Sequence, residues 1–295
     1  MFPLQRPFIR SGRLLGLLVT ALALILSCSP PQPRPTGVAY EFDSAKDMFK
    51  RGQFDRVAEF ADGPATASPP NAFTERALVM EVALYSGQVK AYKELVDAYQ
   101  KGADATKNTR FKAEYERLRH DYLQVGSRLA LGLGDAAHRL TEGSQISKEL
   151  TLDVPYPTTE GPLTLPALTH VMEGGWIEPD EQEAAARDAQ FKGIDDALAG
   201  MVGGDRSKAR SALSAGPVKL DGVDFSTYLG NALLEGASLF DRKHMRDSQK
   251  FRTLCGEADE AAKAALALLK ENPNREKEKA VKKLQDDVKK ALKNM

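Results

Sequence analysis

Residues 256–273 read GEADEAAKAALALLKENP. Gly256 opens the run, Ala261 follows five residues later, and Ala265 and Leu268 fall at helical spacing before Pro273. The pattern predicts a tight turn at the glycine, feeding a helix whose small face lies close against a neighbour. Proline cannot continue a helix, so Pro273 ends it. Similar punctuation occurs at Gly52-Gln53-Phe54, at Gly87-Gln88-Val89 and at Gly204-Asp205, where Ala209 stands five residues after Gly204.

Working outward, residues 40–51 predict a helix that Gly52-Gln53 turns into a second one, marked by Phe54, Val57, Ala58 and Ala61. Residues 73–85 are apolar almost all round, which predicts a helix buried on most sides. Ser86-Gly87-Gln88 is expected to turn it. Tyr92, Leu95, Val96 and Tyr99 then form one apolar stripe. A long helix follows, tracked by Phe111, Tyr115, Leu118, Tyr122, Val125 and Leu129, with residues 132–135 (GLGD) expected to be a turn or a C-terminal cap.

Residues 143–179 are different in kind. Five prolines and four glycines stop helix through most of the segment. Residues 166–172 predict a short helix begun by Pro166 and stopped by Gly174-Gly175. Long loops of this sort are uncommon and usually functional or disordered. Leu150, Leu152, Val154, Tyr156 and Trp176 argue against simple disorder here. Helix resumes at Pro179 with the stripe Phe191, Ile194, Leu198 and Met201, and Gly203-Gly204-Asp205 turns it into another over 208–215. Phe225, Tyr228, Leu229, Ala232, Leu233 and Phe240 line the next. Residues 275–295 predict a charged capping helix with the narrow stripe Val281, Leu284, Val288 and Leu292. A basic amphipathic helix also suits a partner or a membrane surface.

The glycine, alanines and proline of residues 256–273 resemble the second helix of a tetratricopeptide repeat. The two Gly-Gln turns lie 35 residues apart, close to that family's 34-residue period, so the resemblance extends over residues 40–102. It implies an all-α fold: an array of antiparallel helical hairpins (a TPR-like α-solenoid) with a Pro/Gly-rich central insertion and a charged C-terminal helix. Such arrays resemble adaptors that bind proteins or peptides on a concave face.

The N-terminus carries Arg6, Arg10 and Arg13 ahead of an apolar run over residues 14–26, the pattern of a signal peptide and too short for a comfortable membrane span. Ile25-Leu26-Ser27-Cys28 resembles a bacterial lipobox, which implies lipidation at Cys28. Four prolines in residues 29–37 make a stiff tether. Ser29 after the cysteine resembles outer-membrane sorting. The expected division is 1–27 signal peptide, 28–38 tether, 39–142 N-terminal repeats, 143–179 insertion, 180–274 C-terminal repeats and 275–295 capping helix.

Formal net charge is zero; without residues 1–27 the chain carries 38 basic and 41 acidic side chains, a net of −3. Nothing in that balance argues for a nucleic-acid partner. No metal-ligand or nucleophile motif is present, so no cofactor, metal or catalytic residue is assigned. His170, near Glu173, Glu178 and Trp176, is the one candidate acid/base group. Cys255 reads as a buried small hydrophobe. Trp176, Ile177 and Tyr156 are the candidate binding residues, since aromatic side chains on loops often anchor partners. The expected function is a membrane-anchored envelope scaffold with a protein partner. The alternative is a periplasmic small-ligand carrier or a transporter-associated lipoprotein.

Overall fold

The computed structural model describes residues 37–142, 146–158 and 166–294. The signal-peptide pattern, Cys28 and the proline tether lie outside the described residues. So do Leu163 and Leu165 of the insertion.

Helix α1 (Val38–Lys50) and α2 (Phe54–Ala65) form a hairpin. Gly52 turns it with φ of 70°, a conformation that costs any other residue a steric clash. Phe49 and Phe54 meet across the turn edge to face, and Phe54 packs in the same way on Phe191. The body is then organised on two long neighbours, α3 (Thr74–Ala105) and α4 (Thr109–Glu142), of 32 and 34 residues. Strand β1 (Glu149–Leu152) and helix α5 (Pro166–Met172) follow, then α6 (Pro179–Val202) and α7 (Arg206–Ala215). Strand β2 (Val218–Asp221), α8 (Gly222–Ala237), a 3-10 turn (Ser238–Phe240), α9 (Ser248–Glu271) and α10 (Arg275–Asn294) complete it. The fold is mainly α-helical, as the sequence predicts, and Val38–Met295 form one compact unit.

Three expected turns are absent. Helix α3 runs straight through Ser86-Gly87-Gln88, α4 through residues 132–135, and α9 through Gly256. At the first two the glycine serves close approach. A Cβ on Gly87 would stand 2.7 Å from the Ile194 Cα, and one on Gly193 would meet the Gly87 carbonyl. These two glycines are where α3 and α6 touch backbone to backbone. Gly132 makes room for the Tyr85 ring and Gly134 for Leu254. Gly256 has nothing within 4 Å; it is simply tolerated, because a helix-interior glycine costs only about 1 kcal/mol. The 35-residue spacing of Gly52 and Gly87 therefore does not mark two hairpins. Phe240 also lies past the end of α8, in the 3-10 turn.

Other boundaries follow local chemistry. Glu178 and Glu181 form a capping box at the start of α6, and Gly203 ends it in the left-handed region with φ of 112°. Asp205 and Asp221 cap α7 and α8 by accepting from backbone amides. Asp247 accepts from Lys250 N, and that cap sets the start of α9 eight residues before Gly256. Helix α10 buries Val281, Leu284 and Val288, whereas Leu292, the fourth residue of its stripe, is exposed.

Residues 146–158 form an ordered strap. Strand β1 pairs antiparallel with β2, with Leu150 opposite Leu220. Leu150, Leu152 and Val154 alternate inward. On the way, Thr151 N donates to Glu75, Asp153 pairs with Lys46 at 2.7 Å and with Arg76 at 3.4 Å, and Thr158 N donates to the Lys50 carbonyl. The strap thus ties the α1–α2 hairpin and the start of α3 to the α7–α8 connection.

Two hydrophobic cores result. The larger mixes aliphatic side chains, alanines and phenylalanines and fills the space among α1–α4 and α6–α10. The smaller is aromatic and lies between the C-terminal half of α3, the N-terminal half of α4, α5 and the start of α6.

Candidate functional site

The aromatic core opens at a rim made by the α5–α6 connection. Gly174, with φ of 83°, reverses the chain after α5 and sits against the backbone of Ala105 and Thr106, where a Cβ would clash. The next residues deliver Trp176 onto α4. Its ring stacks on Phe111 at 5.0 Å and on Tyr115 at 6.0 Å, nearly parallel to both. The Tyr115 hydroxyl donates to the Gly175 carbonyl and fixes the connection. Trp176 and Phe111 are half-buried, while His170 and Glu173 beside them are exposed.

Behind the rim the rings continue inward. Tyr99 lies 5.7 Å from Tyr115 and 5.5 Å from Tyr122, and Tyr122 lies 6.0 Å from Tyr92. Gln190 donates to the Tyr92 hydroxyl. Burial pushes all four phenols above their usual range. The Tyr99 ring is fully buried, with its hydroxyl beside that of Tyr122.

The three residues singled out from sequence are not brought together. Trp176 stands at the rim. Ile177 is 4% exposed and packs inward with Ala185 and Ala189, so it supports the rim from below. Tyr156 belongs to the strap and to the larger core. The Arg210 guanidinium lies 4.9 Å from its ring centre, and its hydroxyl faces Asp195. Burial, with Asp195 beside it, pushes that phenol up to about 12. Asp195, itself buried on α6, is raised as well, chiefly by desolvation. Tyr156 fastens the strap to α6 and α7.

A second place has no counterpart in the sequence reading. Glu81 interrupts the apolar run of α3 and is only 1% exposed. Arg139, one turn from the end of α4, donates to it at 2.9 Å and reaches toward Asp62 on α2 at 3.7 Å. Burial raises the Glu81 carboxyl to about 7; Arg139 pulls it back down, while Asp62 and Asp135 add to the rise. Tyr85, next to it, is pushed up to about 12, first by burial and then by Glu81. Arg139 also lines an open cleft of about 440 Å³ with Ala65, Pro70, Thr74, Leu78 and Glu142. The signal was one acidic residue within the apolar run over residues 77–85; its partner, 58 residues away, carried none.

The remaining candidates are placed as follows. His170 is exposed on α5 and forms no pair with Glu173 or Glu178. Exposed His120 contacts Gln124, and His138 bridges Glu142 and Glu257 at 3.0 and 3.2 Å. His244 contacts Asp241 at 2.8 Å. Cys255 is a free, buried thiol whose ionisation burial pushes up to about 11, which suits a small hydrophobe and not a nucleophile. Among the described residues no three His, Cys, Asp or Glu side chains are grouped to hold a metal, and no helix is long and apolar enough to cross a membrane. No family model matches the chain, and no match was found among curated proteins or solved structures.

Proposed function

We propose that the protein is a lipid-anchored helical scaffold of a bacterial envelope, holding a protein partner through the aromatic rim at Trp176. The observation that carries this reading is the half-buried stack of Trp176 on Phe111 and Tyr115. A large flat ring, held by two neighbouring rings and only half-buried, is the kind of residue that anchors protein interfaces at low entropic cost. Anchoring is supported by Arg6, Arg10 and Arg13, the apolar run after them and Cys28. The repeat resemblance adds the adaptor role by analogy of architecture alone. It now rests on the α1–α2 hairpin and the α6–α7 turn, since Gly87 and Gly256 lie inside helices.

The test is site-specific photo-crosslinking in cells. A crosslinking residue at exposed His170 is expected to yield one discrete protein adduct, and the same residue at Glu59 on α2 none. Equal smears from both positions, or no adduct from 170, would rule the rim out. Anchoring is checked separately: Cys28→Ser is expected to abolish incorporation of labelled fatty acid, and undiminished labelling would exclude that cysteine.

The carrier reading would place its ligand in the open cleft lined by Arg139 and Glu142. It predicts a small molecule retained in native mass spectrometry of the purified protein and lost on Arg139→Ala. A bare mass in every preparation counts against it.

A further inference from the structure

Helix α10 holds eight of the basic residues and four acidic ones, a net of +4, which leaves residues 28–274 at −7. At about 100° per residue, all the basic residues except Lys277 fall within one arc of roughly 120°, with Asp286 among them and Glu276, Glu278 and Asp287 at its flanks, so the outward side carries seven basic and four acidic side chains, a net of +3. Lys277 points the other way and pairs with Asp221 and Asp224 at the start of α8, at 2.8 and 2.9 Å. The apolar residues Val281, Leu284 and Val288 also face inward and are buried. The capping role therefore occupies one side of α10 and leaves the basic side outward.

That side is poorly neutralised. Lys282 pairs with Glu278 at 2.6 Å, but Lys279 and Lys289 only approach Glu276 and Asp286, at 3.9 Å each. Lys283, Lys290 and Lys293 are exposed and form no ion pair among the described residues. The row is straight, being carried on one 20-residue helix. It contains no aromatic residue, so it lacks the anchors from which protein interfaces draw most of their energy.

We infer that the outward face of α10 is an electrostatic docking surface for a layer of anionic phospholipid headgroups. A straight lysine row matches a flat, diffusely charged layer, which attracts each basic side chain without needing a pocket. The inference deepens the anchoring reading and rests on it for its biological setting. Ten residues, 28–37, separate Cys28 from the start of α1, and a chain of that length spans roughly 30 Å at about 3.1 Å per residue. A lipid on Cys28 would hold the body beside the layer, and at that effective concentration a weak contact suffices. One acyl chain plus a polybasic patch is itself a recognised two-signal anchor.

The test uses the unlipidated body, residues 38–295, which contains both hydrophobic cores and forms one compact unit. It is floated with phosphatidylcholine vesicles containing either no phosphatidylglycerol or about two-fifths of it, in 50 mM and 500 mM NaCl. Expected is at least tenfold more protein on the anionic vesicles at low salt, lost at high salt. The variant K279E/K283E/K290E/K293E is expected to melt like the wild type and to lose this binding. Equal partitioning to both vesicles, binding by the folded variant, or tighter binding to soluble polyglutamate than to the anionic vesicles would overturn the proposal. No acyl chain is present, so the result is independent of fatty-acid labelling at Cys28, and either idea can fail without the other.

Discussion

The middle of α3 and its C-terminal part are built on different principles. Near its middle Gly87 meets Gly193 of α6 with no side chain between the backbones, and the residues around the crossing belong to the larger, buried core. Toward its C-terminus the same helix contributes Tyr92 and Tyr99 to a core of rings that ends in half-buried Trp176. The crossing has no slack and no exposed side chain. The aromatic end finishes in a half-buried ring at the surface. The first region fixes the fold, and the second has surface to spare for a partner.

The largest expected effect comes from breaking the crossing. Gly87→Val would drive a branched side chain into the Ile194 backbone, and overpacking against backbone costs about 3 kcal/mol or more. Chemical denaturation should show that loss. A change below about 1 kcal/mol would mean that the helices do not touch there.

Next comes Glu81, on the N-terminal side of the crossing. Its carboxyl is raised from 4.5 to about 7 in the folded state. The protonated form is therefore favoured by folding, so this stabilising contribution is complete below about pH 4.5 and lost as pH rises through 7. Glu81→Gln should raise stability at pH 8 by about 2 kcal/mol and flatten the dependence between pH 5 and 8. Thermal melts across that range check the sign; a variant less stable than wild type at pH 8 would show that the Arg139 pair outweighs desolvation.

Trp176→Ala should cost less, about 1–2 kcal/mol, because the ring is only partly buried. Trp176→Phe should cost under about 1 kcal/mol. Urea titrations followed by circular dichroism separate the two. The wild-type chain can also be followed by fluorescence, since Trp176 is the sole tryptophan.

Most helices were legible because their apolar stripes and caps agree: α5, the start of α6 at Pro179 and the inward stripe of α10 follow from local chemistry. The glycines misled for a physical reason. A turn with positive φ and a close helix crossing both require a missing Cβ, and sequence does not separate them. Gly52 is the first kind and Gly87 the second. Flanking apolar residues on both sides of Gly87 favour an unbroken helix. The strap's strand was missed: Pro155 and Pro157 directed attention to loop, Leu150, Leu152 and Val154 argued only against disorder, and its partner β2 lies about 68 positions later. Of the site, Trp176 was visible as an isolated aromatic residue. Its partners Phe111 and Tyr115, 65 and 61 positions earlier, were visible only as helix stripe. Glu81 and Arg139 pair across 58 positions, and only the folded chain brings them together.

The most direct measurement is the crosslinked adduct from position 170 compared between the wild type and Trp176→Ala, with the melting curve of each recorded alongside. If the aromatic rim is the working surface, the adduct disappears while the protein remains folded. An adduct of equal yield from the folded variant would contradict the claim and move the partner contact elsewhere on the scaffold.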